Sequence, residues 1–268
     1  MKKSVVCEKM SKGEIVLTAK LNFMNPNLAE LIGYFGFDCL WICNEHQGID
    51  RSMLENIIRT AKISDMDMLV RTGHGNHTDL IQPLEMGAQG IMVPHIESVT
   101  QVESIIRDAK FHPYGLRGMD CVNGDADQGM ASTDDYIEFA LNNTFVAVQI
   151  EDENALAQVD RIAAVPGLDM IFLGPKDFSQ AIGDPGNVRN PKVWDAIMKC
   201  SDACNRNNIY CATSGLGDVE YMRRLLDNGV KFLTGPSDYG AVMRGLKSDI
   251  EKYSTLGFEF RCYNSATS

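Results

Sequence analysis

The chain has no long apolar run, no excess of cations, no paired-cysteine signature and no glycine-rich nucleotide turn, and each absence removes a class of protein. No stretch approaches the ~20 apolar residues that a helix needs to cross a bilayer. The start, Met1-Lys-Lys-Ser-Val-Val-Cys-Glu, carries positive charge but no sustained apolar segment, so it does not read as a secretory signal. The net charge is −11, from 25 basic and 36 acidic residues. That balance argues against a nucleic-acid partner, which needs clustered Lys and Arg, and against docking on an anionic membrane. An acidic protein that handles an anionic substrate must gather its positive charge locally. No CxxC pair occurs among the eight cysteines. Cys39/Cys43 and Cys200/Cys204 have i,i+4 spacing but lack a second ligand pair at zinc-site spacing. The cysteines read as reduced thiols, mostly core filler, of a cytoplasmic protein.

What is present is an alternation of short apolar runs and helical patterns from end to end. Candidate strands are 15–21, 38–43, 67–71, 89–93, 145–150, 168–173, 208–213 and 231–235. Several are apolar on consecutive positions, as Gly90-Ile-Met-Val93 and Met170-Ile-Phe-Leu173 are. Such runs suit strands covered on both faces, as in a parallel sheet. Between them, 52–63, 98–109, 153–163, 191–206, 217–228 and 237–252 carry apolar residues at helical spacing. Gly87, Gly167 and Gly229 precede strands, where helix C-caps belong. Eight βα units in 268 residues predict an α/β protein with a single-domain (β/α)8 TIM barrel over residues 1–268. The rival, an open doubly wound sheet, would want a GxGxxG turn after the first strand. One segment, 111–135, is long, rich in Gly and Asp, and without clean periodicity. Long irregular connections are usually lids or binding loops.

In a parallel barrel, chemistry gathers at the C-terminal strand ends. Reading along those ends gives Asn44-Glu45-His46-Gln47, Arg71, Pro94-His95, Glu151, Gly174-Pro-Lys-Asp177, Thr213-Ser214 and Gly235-Pro-Ser237. Glu151 and Asp177 close two separate apolar runs. An isolated carboxylate capping a buried strand is costly unless something pairs with it. Two that converge, with only Lys176 close in sequence, suggest a divalent cation bound through oxygen. The alternative for Asp177 is a helix N-cap, a role that Glu151 fills poorly. His46 is of the residue type that suits a general base, or it hydrogen-bonds its own loop. Arg71 is a planar, permanently charged fork that holds an anion, or it pairs with a carboxylate of the rim. Lys176 raises a Schiff-base alternative. His74, His77, His95 and His112 lack ligand spacing and read as surface or structural.

Taken together, these segments resemble the HpcH/HpaI aldolases, the metal-dependent class II pyruvate aldolases. The likeness is carried by Cys43-Asn44-Glu45-His46-Gln47-Gly48, Val70-Arg71, Leu84-Glu85-Met86-Gly87-Ala88-Gln89-Gly90-Ile91-Met92-Val93-Pro94, Pro113-Tyr114-Gly115-Leu116-Arg117-Gly118, Gln149-Ile150-Glu151 and Gly174-Pro175-Lys176-Asp177-Phe178-Ser179. It spans about residues 13–252. The resemblance implies cleavage of a 4-hydroxy-2-oxo acid to pyruvate and an aldehyde through a metal-held enolate, with Mg, Mn or Co as the ion. It implies Glu151 and Asp177 as metal ligands, backbone around Gly174, Pro175, Lys176 and Asp177 for the substrate carboxylate, and Arg71 at the enolate oxygen. His46 would move the proton, Glu85 would support Arg71 and the metal waters, and Gln149 and Glu45 would back these groups. It also implies a homo-oligomer, a hexamer, trimer or dimer, with the eighth helix exchanged between copies. Three departures stand out. Cys43 replaces the acid that orients the histidine, GPKDFS replaces GPADLS, and Thr-Gly-His-Gly-Asn-His follows Arg71. That last loop and 119–133 would face the second substrate. Rival readings are a related barrel lyase or decarboxylase acting on another 2-oxo acid or a CoA thioester, and a catalytically impaired binding subunit.

Overall fold

The structure, a computed structural model, describes residues 1–73 and 76–260; His74 lies outside the described residues. Eight strands run β1 Val16–Leu21, β2 Cys39–Cys43, β3 Asp67–Arg71, β4 Gly90–Val93, β5 Phe145–Ile150, β6 Met170–Leu173, β7 Tyr210–Ser214 and β8 Phe232–Ser237. Each pairs in parallel with the next, and β8 pairs with β1, so the sheet closes into a barrel. The helices are α1 Val5–Lys12, α2 Pro26–Tyr34, α3 Arg51–Ile63, α4 His77–Met86, α5 Val99–Ala109, α6 Thr133–Asn143, α7 Glu153–Ala157, α8 Val159–Ala163, α9 Pro175–Ala181, α10 Pro191–Asn207, α11 Val219–Asp227 and α12 Asp238–Ser254. The eight expected strands all form, with ends shifted by one or two residues. The expected helix over 153–163 is broken at Gln158 into α7 and α8.

Consecutive apolar residues along each strand serve two cores. On β2, Leu40 and Ile42 face outward to α3, with Leu54, Ile57 and Ile58. Cys39 and Trp41 face inward, into a cluster with Leu69, Met92, Phe145, Met170, Phe172, Tyr210 and Phe232. The bottom of the barrel, at the strand starts, is closed by α1, whose fully buried Val6 joins the inner cluster with Cys7 and Met10 beside it. Asp67, buried at the start of β3, holds this plug. It accepts hydrogen bonds from Ser4 Oγ at 2.5 Å and Val6 N at 2.9 Å, and pairs with Lys2 Nζ at 2.8 Å. A buried carboxylate satisfied by three donors is tolerable where a bare one is not.

The segment expected as a lid sits elsewhere. It leaves the C-terminus of α5, which lies at the bottom of the barrel. Lys62 Nζ donates to Gly124 O at 3.1 Å, Asp125 N donates to Glu85 O at 3.1 Å, and the α-amino group of Met1 pairs with Asp127. Within one chain, then, 119–133 does not face the substrate end. The Pro-x-Gly-x-Arg-Gly motif is its anchor: buried Arg117 donates to Tyr136 Oη at 3.0 Å and lies over the Phe111 ring at 4.8 Å.

At the bottom of the inner core, Gly90 makes room for Phe145, since a Cβ there would collide with the Phe145 ring. Gly90→Ala should therefore destabilise the barrel by about 1–3 kcal/mol, as overpacked cores do. Urea unfolding checks this, and an unchanged midpoint would remove Gly90 from the account of barrel closure.

Candidate active site

At the opposite rim, the strand ends enclose a cavity of about 450 Å³. Its floor and walls include Lys20 from β1, Trp41 from β2, Arg71 from β3, Gln149 from β5 and Phe172 from β6. Its mouth is bordered by His46, Lys176, Asp177, Leu216 and Ser237. The loop after β1 is tied to the start of α12 by buried Asp238, which accepts from Asn22 N at 2.9 Å, Phe23 N at 2.7 Å and Asn22 Nδ2 at 2.7 Å.

Arg71 ends β3 pointing inward and is 5% exposed. Its Nη2 donates to Cys43 Sγ at 3.1 Å and its Nη1 to Gln149 Oε1 at 3.3 Å. Its Nε stands 3.1 Å from Glu45 Oε2, an ion pair whose atoms are not aligned as a hydrogen bond. The guanidinium lies 5.3 Å over the Trp41 ring. Cys43, in the place of the expected acid, thus contacts Arg71 and accepts from the His46 backbone N at 3.4 Å; the His46 ring stands beside Glu45 instead, at 3.9 Å. That ring is 63% exposed at the mouth.

Glu151, one residue past β5, is 6% exposed. Its Oε1 accepts from Gln149 Nε2 at 2.6 Å and its Oε2 from the His95 backbone N at 2.9 Å. Burial pushes its carboxyl up to about 7; the His95 contacts oppose the rise and the neighbouring Asp177 adds to it. Asp177 lies in the first turn of α9, which follows β6 through Gly174. A Cβ on Gly174 would sit 2.7 Å from Gln149 Nε2 and 3.0 Å from Glu151 Oε1, so only glycine lets the chain pass this close to Glu151. The first-turn amides of a helix lack intrahelical partners, and Pro175, Lys176 and Asp177 of that turn line the cavity.

The donor set fits a divalent ion. Two carboxylates meet across a glycine cradle, and a cation joining them would offset the neighbouring Asp177 charge that disfavours ionisation of Glu151. Among the described residues, no three His, Cys, Asp or Glu side chains stand together as a ready ligand set. Water or substrate oxygens would have to complete the shell.

The structure brings together His46, Arg71, Gln149, Glu151, Gly174, Pro175, Lys176, Asp177 and Glu45. It does not bring Glu85. That residue is in the last turn of α4, before the start of β4, and its electrostatic neighbours are Arg117, Asp120, Asp125 and His77. Within one chain Glu85 lies in the C-terminal turn of α4, ahead of the start of β4, and Arg71 is not among its electrostatic neighbours. Lys176 is exposed at the mouth, which gives a Schiff-base role none of the enclosure it would want. The sequence reading missed His95. Its ring Nε2 is 2.8 Å from Glu45 Oε1 and its Nδ1 is 3.1 Å from Glu151 Oε2. Its place directly after Pro94 at a strand end was the available signal. Lys20 was missed as well; its ammonium lies 4.8 Å over Trp41, and burial lowers its pKa, with Arg71 and Lys176 adding to the effect.

The family model for HpcH/HpaI aldolase/citrate lyase matches residues 21–244. A hydroxypyruvate/pyruvate aldolase of Pseudomonas aeruginosa is 32% identical, over 90% of this chain and 89% of its own. A 5-keto-4-deoxy-D-glucarate aldolase of Shigella boydii is 32% identical, over 81% of this chain and 83% of its own. Among solved structures, the citrate synthase SbnG superposes with a TM-score of 0.85 at 27% identity, covering 95% of this chain and 99% of that one.

The Glu151 carboxyl gives a pH signature. Its folded pKa, about 7, lies above the ordinary glutamate value of 4.5, so between those values the folded state holds more protons than the unfolded. Metal-chelated protein should lose stability as pH rises through that window, and Glu151→Gln should flatten that part of the slope. Thermal unfolding across a pH series reads both; an unaltered slope in the variant would assign the effect to other groups.

Proposed function

The chain belongs to the HpcH/HpaI aldolase/citrate lyase family and is an aldolase, a carbon–carbon lyase; we propose that it cleaves a 4-hydroxy-2-oxo acid to pyruvate and an aldehyde, and runs the reverse addition. One observation carries this reading. The Glu151–Asp177 pair, set on the Gly174 cradle, is joined through Gln149 to a buried guanidinium. Negative charge that develops on a keto oxygen between them would meet the guanidinium on one side and, on the other, the cation that the two carboxylates would hold.

The family is divalent-metal dependent, and we assign the ion, Mg, Mn or Co, to Glu151 and Asp177. When bound, it supplies Lewis-acid charge at the keto oxygen. The protein's own residues do the rest. The amides of Lys176 and Asp177 receive the 2-oxo acid's carboxylate. As the bond between C3 and C4 breaks, its electron pair moves toward the keto oxygen, where Arg71 stabilises the growing charge. His46 takes the proton of the 4-hydroxyl, through a water from its exposed position, and the aldehyde leaves. Proton return to C3 completes pyruvate. Gln149 holds Glu151 and Arg71 at one spacing. Cys43 keeps Arg71 in place with a sulfur acceptor, which favours a working enzyme over an impaired binding subunit. A thioester condensation has the likeness to a citrate synthase in its favour, and acetyl-CoA offered in place of an aldehyde separates the two.

We further propose one barrel domain, a cytoplasmic setting and a homo-oligomer. Every described cysteine is free, as in a reducing compartment. No helix among the described residues is long and apolar enough to cross a membrane. For the oligomer the support is α12. It should cover the seam between β8 and β1, yet apart from Asp238 none of its residues is buried. Val242, Met243 and Leu246 are exposed on it, while Leu17 on β1 and Leu31 and Tyr34 on α2 are exposed on the barrel. Apolar faces on the helix and on the seam, both open, suit exchange of α12 between copies.

Two measurements check these statements. Proton NMR of pyruvate in D₂O should show methyl exchange that requires Mg²⁺ or Mn²⁺ and falls by about 10²-fold or more in Glu151→Ala, the scale of losing a charge-stabilising group. Exchange absent with every divalent ion would end the aldolase reading. Light scattering should give a multimer for the full chain, and a chain ending before Asp238 should lose it; a monomeric full chain would refute exchange.

A further inference from the structure

His95 stands two residues past the end of β4 with φ at 53°, the left-handed region that a bulky side chain rarely occupies. Backbone strain of this kind persists only where surrounding contacts fix it. Here the contacts are named. The turn aims the His95 N–H at Glu151 Oε2, 2.9 Å away, and lays the ring between two acids. Nε2 is 2.8 Å from Glu45 Oε1 and Nδ1 is 3.1 Å from Glu151 Oε2. Glu45 Oε2 in turn stands 3.1 Å from Arg71 Nε. Gln149 supplies a second route, with Nε2 on Glu151 and Oε1 accepting from Arg71. The two routes close a ring of five side chains: Glu151, His95, Glu45, Arg71 and Gln149. Opened at His95, the ring would leave Glu45 without its link to Glu151, and Arg71 tied to Glu151 only by the 3.3 Å bond to Gln149.

We propose that His95 is a positioning residue of the lyase reaction, fixing the Arg71 guanidinium relative to Glu151 by holding Glu45 in place. This rests on the aldolase reading. Arg71 acts on charge that grows in the transition state, so loosening it lowers turnover more than ground-state binding.

The test starts from His95→Gly, which keeps the backbone donor to Glu151 and suits the positive φ. Thermal unfolding of this variant should hold or rise. Its kcat for metal-dependent exchange of pyruvate's methyl protons should fall about tenfold or more, with KM for pyruvate changed less than about threefold. His95→Gln, whose amide nitrogen can stand where Nε2 does, should recover part of the loss. Because His95 acts through Glu45, His95→Gly combined with Glu45→Gln should be no slower than Glu45→Gln alone. Unchanged kcat in His95→Gly, or losses that multiply in the double variant, would overturn the proposal. The Arg71 Nε–H resonance in a ¹⁵N spectrum gives a readout without turnover: it should shift in His95→Gly and return in His95→Gln. If the wild type shows no exchange, the aldolase reading fails, and the clamp is then decided by that resonance alone.

Discussion

A permanently charged guanidinium enclosed at the end of a barrel strand must be surrounded by acceptors, and much of the substrate rim is arranged to meet that requirement for Arg71. A cation that cannot shed its proton has no neutral form in which to be buried. Glu45, Cys43 and Gln149 each stand against a different nitrogen of the fork, and the Trp41 ring lies under its plane. Trp41, Cys43 and Glu45 come from β2 and its C-terminal end, and Gln149 from β5. The parallel register brings them together: Cys43 pairs with Arg71 across β2 and β3, and Arg71 with Met92 across β3 and β4. The barrel is in this sense a device for holding one charge against oxygen, sulfur and an aromatic face while leaving one side open to a cavity.

The two rims use buried charge differently. At the bottom, Asp67 is enclosed by donors from α1 and is fully satisfied, and its work is to hold the plug that closes the inner core. At the top, Glu151 has two donors and a second carboxylate nearby, and burial raises its pKa. A satisfied carboxylate stabilises structure; one left partly unsatisfied beside a like charge is poised to accept a cation. That asymmetry separates the structural acid from the functional ones more sharply than burial does, since both are nearly inaccessible.

Strand positions were legible because doubly covered strands are apolar on every residue, and Glu151 and Asp177 because a charge that ends such a run is conspicuous. Arg71 was legible for the same reason. His95 was not, because its meaning lies in contacts with positions 45 and 151, and nothing local in Pro94-His95-Ile96 reports that a left-handed turn swings the ring inward. Glu85 was placed at the site by likeness of its segment alone; the helical phase of α4 sets it on the other rim, where it flanks the 111–132 segment. The lack of periodicity over 111–135 suits a lid or a binding loop. The order of that segment comes instead from buried Arg117 with Phe111 and Tyr136 around it, and from the bonds of Gly124 and Asp125 to Lys62 and Glu85.

The junction between β8 and α12 would link the site to the proposed assembly. Asp238 begins α12 and is that helix's one buried residue, and its carboxylate holds the backbone of Asn22 and Phe23 beside the cavity. The loop so held in turn supplies Asn22 O to the side chain of Gln47, next to His46. Beyond Asp238 the helix leaves its own barrel with its apolar side chains uncovered. Force on α12 from a neighbouring copy would therefore be delivered to the rim through one short segment that already carries four hydrogen bonds from the loop after β1 and the first turn of the helix. If α12 passes to a partner as proposed, its anchor at the edge of its own cavity would make the shape of the mouth depend on assembly, although the charged ring at Arg71 lies wholly within one copy.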